Sequence, residues 1–172
     1  MVIWLIGLSG AGKTTLGREV LKQWKLTEAN VVLLDGDEVR AVFAHDRGDD
    51  AYSVAGRRTS AERMVALCEL LDKQGINVIC CILSIFPDLQ TQNRGRFSRY
   101  FEVFLDAPLS VLQTRDTKGL YASAHAGRAA HVVGITIPFQ RPAKPDLVID
   151  TSGNNPDIQS LAADILQRAR ST

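Results

Sequence analysis

The sequence predicts an α/β protein, a three-layer sandwich around a five-stranded, mainly parallel sheet. Three observations carry that expectation. Short apolar runs alternate with amphipathic segments along the 172 residues, the pattern of strands joined through crossover helices. The run Ile76 to Leu83 (INVICCIL) is almost wholly apolar, as a strand covered on both faces must be. The first apolar run leads directly into a glycine-rich turn.

The elements follow in order. Val2 to Ile6 (VIWLI) reads as the first strand and Lys13 to Lys22 as a helix. Val31 to Asp35 (VVLLD) is the second strand. Ala61 to Leu71 puts Ala61, Met64, Val65, Cys68 and Leu71 on one helical face. Ile76 to Leu83 is the third strand and ends at the polar Ser84; Tyr100 to Asp106 and Leu147 to Asp150 are the fourth and fifth. A last helix is expected with Asn155 as its cap and Pro156 at its first position, and with Ile158, Leu161, Ala162, Ile165 and Leu166 as its apolar stripe. Trp4 and Trp24 read as packing residues. His45 to Gly56 and Asp116 to Pro145 lack clear periodicity. Stretches of that length in a compact domain are functional lids or disordered. Both would sit near the glycine-rich turn in such a fold, so they read as lids, with residues 116–145 the mobile one in a single domain spanning 1–172.

Composition narrows the function classes. With 45% hydrophobic and 23% charged residues the chain is an ordinary globular protein. A net charge of +1 gives no whole-protein pull toward nucleic acid or membrane, so any anion site must be local. Cys68, Cys80 and Cys81 lie in apolar runs, which argues for a reducing cytoplasm and against a disulfide framework. His45, His125 and His131 form no metal motif. The apolar start, Met1 to Ile6, is too short to span a bilayer and is no signal peptide.

Gly7-Leu8-Ser9-Gly10-Ala11-Gly12-Lys13-Thr14 matches G-x-x-x-x-G-K-[ST] in full, between a strand and a helix. Its glycines let backbone N–H groups turn inward around phosphate oxygens, and the following helix adds the positive end of its dipole. Lys13 supplies a point charge for the β- and γ-phosphates, and the Thr14 hydroxyl is a Mg²⁺ ligand. The expected ATP contacts are Gly7, Ser9, Gly10, Ala11, Gly12, Lys13, Thr14 and Thr15. Within the α/β class this makes the fold a P-loop nucleotide-kinase-like sandwich. No N-K-x-D run is present, which argues against a guanine-reading switch.

The second strand ends in Asp35-Gly36-Asp37-Glu38-Val39-Arg40. Most Asp-Gly-Asp runs are solvated turns. Carboxylates at the carboxyl end of a parallel strand, however, point into the crevice where ligands bind. One can orient Mg²⁺ and the other can accept a proton from an attacking hydroxyl. Phosphoryl transfer is mainly positioning and charge neutralisation, so some arginines should face the site. Of Arg57, Arg58, Arg63, Arg94, Arg96, Arg99 and Arg115, the expected contributors are Arg57 and Arg115, together with Arg40. Arg96 and Arg99 read as solvated surface charges.

These residues resemble a known family. GLSGAGKTT, LDGDEVR, TRDTKGLYASAHAG, VVGITIPF and KPDLVIDT occur in the order found in adenylylsulfate kinases, from about Val2 to Thr151. The resemblance implies transfer of phosphate from MgATP to the ribose 3′-hydroxyl of adenosine 5′-phosphosulfate by a homodimer. It implies Asp35 and Asp37 at the catalytic and acceptor site, with Asp35 also near the metal and the choice of base between them open. It implies Arg40 and Arg57 on the acceptor's anion and Tyr52 over its base, where the family has phenylalanine. Ser84 matches the serine after the third strand, and Arg115 resembles the residue that stacks on the ATP adenine. Lys118, Gly119, Leu120 and Tyr121 open the lid, with Lys118 and Leu120 among the acceptor contacts. The sequence also departs from the family pattern. Ser84-Ile85-Phe86-Pro87 lacks the family's arginine, Ser60 stands where the family has asparagine, and Val132 replaces an aromatic that sandwiches the acceptor adenine. The segments QGINVICCILSIF and HVVGITIPF also resemble a branch thought to phosphorylate cytidine diphosphoramidate. A nucleotide-binding scaffold without catalysis, and a kinase of a sugar or shikimate-like acid, are the remaining alternatives.

Overall fold

A computed structural model describes residues 1–45, 47–116, 118–153 and 156–171. Its sheet contains β1 (Val2–Ile6), β2 (Val31–Asp35), β3 (Asn77–Ile82), β4 (Tyr100–Asp106) and β5 (Leu147–Asp150). The strand order is β2-β3-β1-β4-β5, and every pairing is parallel. β1 lies at the centre and all five of its residues are buried, which is why that run carries no polar side chain. The third strand is one residue shorter at each end than its apolar run.

Side chains alternate across a strand, so the apolar runs feed two cores. On one face Ile3, Leu5, Ile79, Val103 and Leu105 pack with Leu16, Val20 and Trp24 of α1 (Lys13–Trp24). Ala162, Ile165 and Leu166 of α7 (Ile158–Ser171) close that core. On the other face Val2, Trp4, Ile6, Val78 and Cys80 meet Met64, Val65 and Cys68 of α3 (Val54–Lys73). Trp4 lies 6.2 Å from the Phe97 ring and 6.3 Å from that of Tyr100, so both tryptophans pack as expected. All three cysteines are buried and free. α1 lies very close to the sheet at Gly17, where a Cβ would come within 2.5 Å of Cys81 Sγ.

The remaining helices are α2 (Gly36–Val42), α4 (Pro87–Arg96), α5 (Leu109–Thr114) and α6 (Leu120–His125). Several expectations need correction. The acidic run after β2, to which the sequence pattern assigns no element, is a helix, with the Asp35 side chain accepting the Asp37 N–H as its cap. α3 begins seven residues before the apolar stripe signals it. Its cap is Ser53, whose hydroxyl accepts the Gly56 N–H at 3.1 Å. A 3₁₀ turn, Asp49–Tyr52, precedes it. Asn155 lies outside the described residues, and Pro156 precedes α7 rather than opening it. The cap there is Asp157, which accepts from the Ser160 N–H at 3.1 Å and its hydroxyl at 2.6 Å. Arg99 is no idle surface charge. Its Nη2 donates to the Ala169 and Arg170 carbonyls at the carboxyl end of α7, where a cation suits the helix dipole. Among the described residues no helix is long and apolar enough to cross a membrane.

Candidate active site

The carboxyl ends of β1, β2 and β3 deliver the site. After β1 the chain turns through Gly10 (φ 81) and Gly12 (φ 94), backbone that only glycine adopts without strain. Gly7 is required for a different reason: a Cβ there would lie 2.9 Å from the Leu105 carbonyl oxygen. The loop amides then open onto the first turn of α1. Lys13 Nζ donates to the Gly7 and Leu8 carbonyls at 2.8 and 2.9 Å, which holds the ammonium over the loop. Burial pulls the Lys13 pKa down, against the raising influence of nearby Asp37 and Asp35. Ala11 is buried beneath the loop, whereas Thr15 is exposed on the first turn of α1.

Thr14 Oγ1 donates to Asp35 Oδ2 at 2.6 Å. Asp35 Oδ1 accepts the Asp37 N–H at 2.9 Å, so both carboxylate oxygens of this buried residue are fixed by protein donors. Asp37 differs. Its side chain is 66% exposed and meets Lys118 Nζ at 2.9 Å and Arg40 Nη1 at 3.2 Å. Partial desolvation by the cleft walls would raise the Asp37 pKa, but the Lys118 hydrogen bond and charge, with Arg40 and Lys13, bring it below the ordinary carboxylate value. The two acids therefore divide their work, one pinned beside Thr14 and one facing the cleft.

The cationic wall forms around Tyr52. The Arg40 and Arg57 guanidinium groups lie 5.0 and 5.7 Å from its ring centroid, within cation–π range. Arg57 also donates from Nε to the Tyr52 carbonyl at 2.9 Å and from Nη2 to the His131 carbonyl at 2.8 Å. Burial, then the neighbouring Arg40 charge, lower its pKa. Ser84, at the end of β3, is buried and holds φ 52, a left-handed conformation rare outside glycine. Its hydroxyl accepts Gln90 Nε2 at 3.0 Å.

The expected lid is less loose than its sequence suggests. Asp116, three residues before the Gly119 cap of α6, holds its first turn, accepting the Leu120 and Ala122 N–H groups at 2.8 and 3.0 Å. Tyr121 is buried in the core and donates its hydroxyl to the Ser9 carbonyl at 2.9 Å, which ties α6 to the phosphate loop. Sequence reasoning placed Tyr121 in the lid without seeing that bond. Val132 is 1% exposed in the same core and offers no surface to a base. Arg115 gives its guanidinium to the Thr151, Ser152 and Gly153 carbonyls, so its plane is fixed beside the loop after β5. Contacts thus join Thr14, Asp35, Asp37, Arg40, Tyr52, Arg57 and Lys118 into one cluster, with the Lys13 ammonium near enough to feel both acids. Ser84 and Arg115 stand at its margins, bonded to other partners.

Thr14 and Asp35 present only hard oxygen atoms. Among the described residues no group of three or more His, Cys, Asp and Glu could hold a metal. That donor set suits Mg²⁺, which keeps waters and takes the rest of its shell from one or two protein oxygens and substrate phosphates.

A parallel sheet with this loop after its central strand, and carboxylates at the end of β2, defines a P-loop phosphotransferase of the kinase class. The chain belongs to the adenylylsulphate kinase family, whose sequence model matches residues 1–150. It is 37% identical over 154 residues to the cytidine diphosphoramidate kinase of Campylobacter jejuni, covering 90% of this chain and 88% of that one. It is also 37% identical over 152 residues to the adenylyl-sulfate kinase of Synechococcus sp. (strain JA-3-3Ab), covering 88% and 85%. Among solved structures, the Mycobacterium tuberculosis APS kinase CysC in complex with AMPPNP and APS is similar, with a TM-score of 0.85 and 32% identity over 98% of this chain and 96% of that one.

Proposed function

We propose that this protein transfers the γ-phosphoryl group of ATP to the ribose 3′-hydroxyl of a nucleotide bearing a second anionic group beyond its 5′-phosphate. The observation that carries this reading is the run Thr14–Asp35–Asp37, which sets an exposed carboxylate beside the phosphate loop. The loop N–H groups and Lys13 hold the β- and γ-phosphates. Thr14 and Asp35 would hold Mg²⁺, which neutralises charge on the phosphate oxygens when bound. Arg40 and Arg57 position the acceptor's anion, and Asp37 takes the hydroxyl proton. The acceptor oxygen bonds to the γ-phosphorus, the bond to the β,γ-bridging oxygen breaks, and ADP leaves. Arg115 presents a fixed guanidinium plane for adenine, and the Lys118 segment closes over the acceptor to exclude water.

Two acceptors fit this reading. Adenosine 5′-phosphosulfate follows from the family and from the ligands of the CysC complex. Cytidine diphosphoramidate is favoured by one observation: with Val132 buried, Tyr52 is left as a lone aromatic for the base. Losing one stacking partner costs a bound base about 1–3 kcal/mol, and a pyrimidine has less surface to stack. The deciding experiment measures kcat/KM with each acceptor in a coupled ADP-release assay. A clear preference identifies the substrate. No acceptor-dependent ADP release with either would sink the kinase reading in favour of a nucleotide-binding scaffold. The family resemblance implies a homodimer, which sedimentation equilibrium tests.

A further inference from the structure

Among the described residues, three buried side-chain polar atoms without hydrogen-bond partners belong to residues that share one neighbourhood: Arg40 Nε, Ser60 Oγ and Arg63 Nη1. Their residues line a single cavity of about 10 Å³, whose wall also includes Gly36, between the two site carboxylates. That volume accommodates one water. Arg40 enters this cavity from α2, and Ser60 and Arg63 enter from successive turns of α3. The Arg63 guanidinium lies 5.2 Å from the Phe43 ring centroid, which holds it in place. The Arg40 side chain is only 10% exposed, and its outer Nη1 reaches Asp37.

Buried polar groups are rarely left unpaired, and none of these three is bonded to another. One water solves the arrangement. It accepts from Arg40 Nε–H and Arg63 Nη1–H and donates to Ser60 Oγ, three bonds in all, the usual number for an internal water. We propose that a single buried water links Ser60 and Arg63 to the inner edge of Arg40, making both positioning residues for the arginine that faces the acceptor. The water fixes the guanidinium from behind while Asp37 fixes it from the front. Ser60 and Arg63 then act on acceptor binding without touching the acceptor. This inference rests on the reading of Arg40 as an acceptor contact.

Two measurements test it. In a high-resolution crystal structure of the whole chain, a water peak is expected at about 2.7–3.2 Å from all three atoms. An empty cavity, or direct bonds among the three, overturns the proposal whatever the enzyme's activity. The second measurement compares Ser60→Ala, Arg63→Met and the double variant, with adenosine 5′-phosphosulfate and cytidine diphosphoramidate each as acceptor. Each single change should raise the acceptor KM about fivefold, the effect of one lost hydrogen bond, with the ATP KM unchanged. The double variant should do no more than the worse single, because both act through the same water. Multiplying effects, or an equal rise in the ATP KM, would refute the shared link. Should the variants fail to fold, the wild-type density decides. A wild type inactive on both acceptors would count against the kinase reading alone, since the water is read from density.

Discussion

At the scale of single residues, the two acids after β2 are chemically unlike although the sequence writes them two positions apart. Asp35 is pinned by Thr14 and by its own helix, whereas Asp37 depends on Lys118 and Arg40 for its low pKa. Lys118→Ala should let that pKa rise, because the hydrogen bond and charge that most lower it are removed. A base must be ionised, so the acid limb of the kcat/KM profile should move to higher pH; an unmoved limb would show that another group takes the proton. Lys13→Ala should lower kcat by about a hundredfold or more, as loss of a charge-stabilising donor does, with an unchanged circular dichroism spectrum. Lys13 was legible in the sequence because a phosphate loop is written contiguously, whereas Lys118 entered only through the family resemblance. Tyr121, Ser60 and Arg63 were not legible in these roles. Their partners lie 112 residues away for Tyr121 and across two helices for the others, and no local pattern encodes such docking.

At the scale of elements, the strands stood out because the apolar runs of β1, β3 and β4 are buried where expected, while β2 and β5, at the sheet edges, are only partly covered. The helix starts did not, because capping is done by a single side chain that leaves little periodic trace. The first two turns of α3, Val54 to Ser60, carry two arginines and several small or exposed residues, so its apolar stripe becomes visible only at Ala61. α2 has seven residues, too few to show a helical repeat. At α7 the cap is Asp157. Asp157→Ala should cost about 1 kcal/mol of stability in urea denaturation and leave turnover intact, since α7 packs on α1 away from the acceptor. Within residues 116–145, Tyr121, Ala124 and Val132 reach the core, and their irregular spacing is why no apolar stripe marks them in the sequence.

At the scale of the whole molecule, the layers meet with little slack. α1 carries the phosphate loop and rests on the sheet through Gly17, where an added methyl would meet Cys81 Sγ and come within 3.1 Å of Leu33 Cδ1. Gly17→Ala should destabilise the protein by about 1–3 kcal/mol through overpacking, and Cys81→Ala on that background should recover part of the loss in thermal melts. Strand order has a further consequence, for how the protein is born. Val2 pairs in register with Val78 and with Tyr100, so the strand that carries the loop is made first yet must wait for both neighbours. Closing such long spans is slow compared with local pairing. A ribosome must therefore release everything through β4 before the nucleotide cradle acquires its walls, and a nascent chain stalled before β4 should show no affinity for ATP.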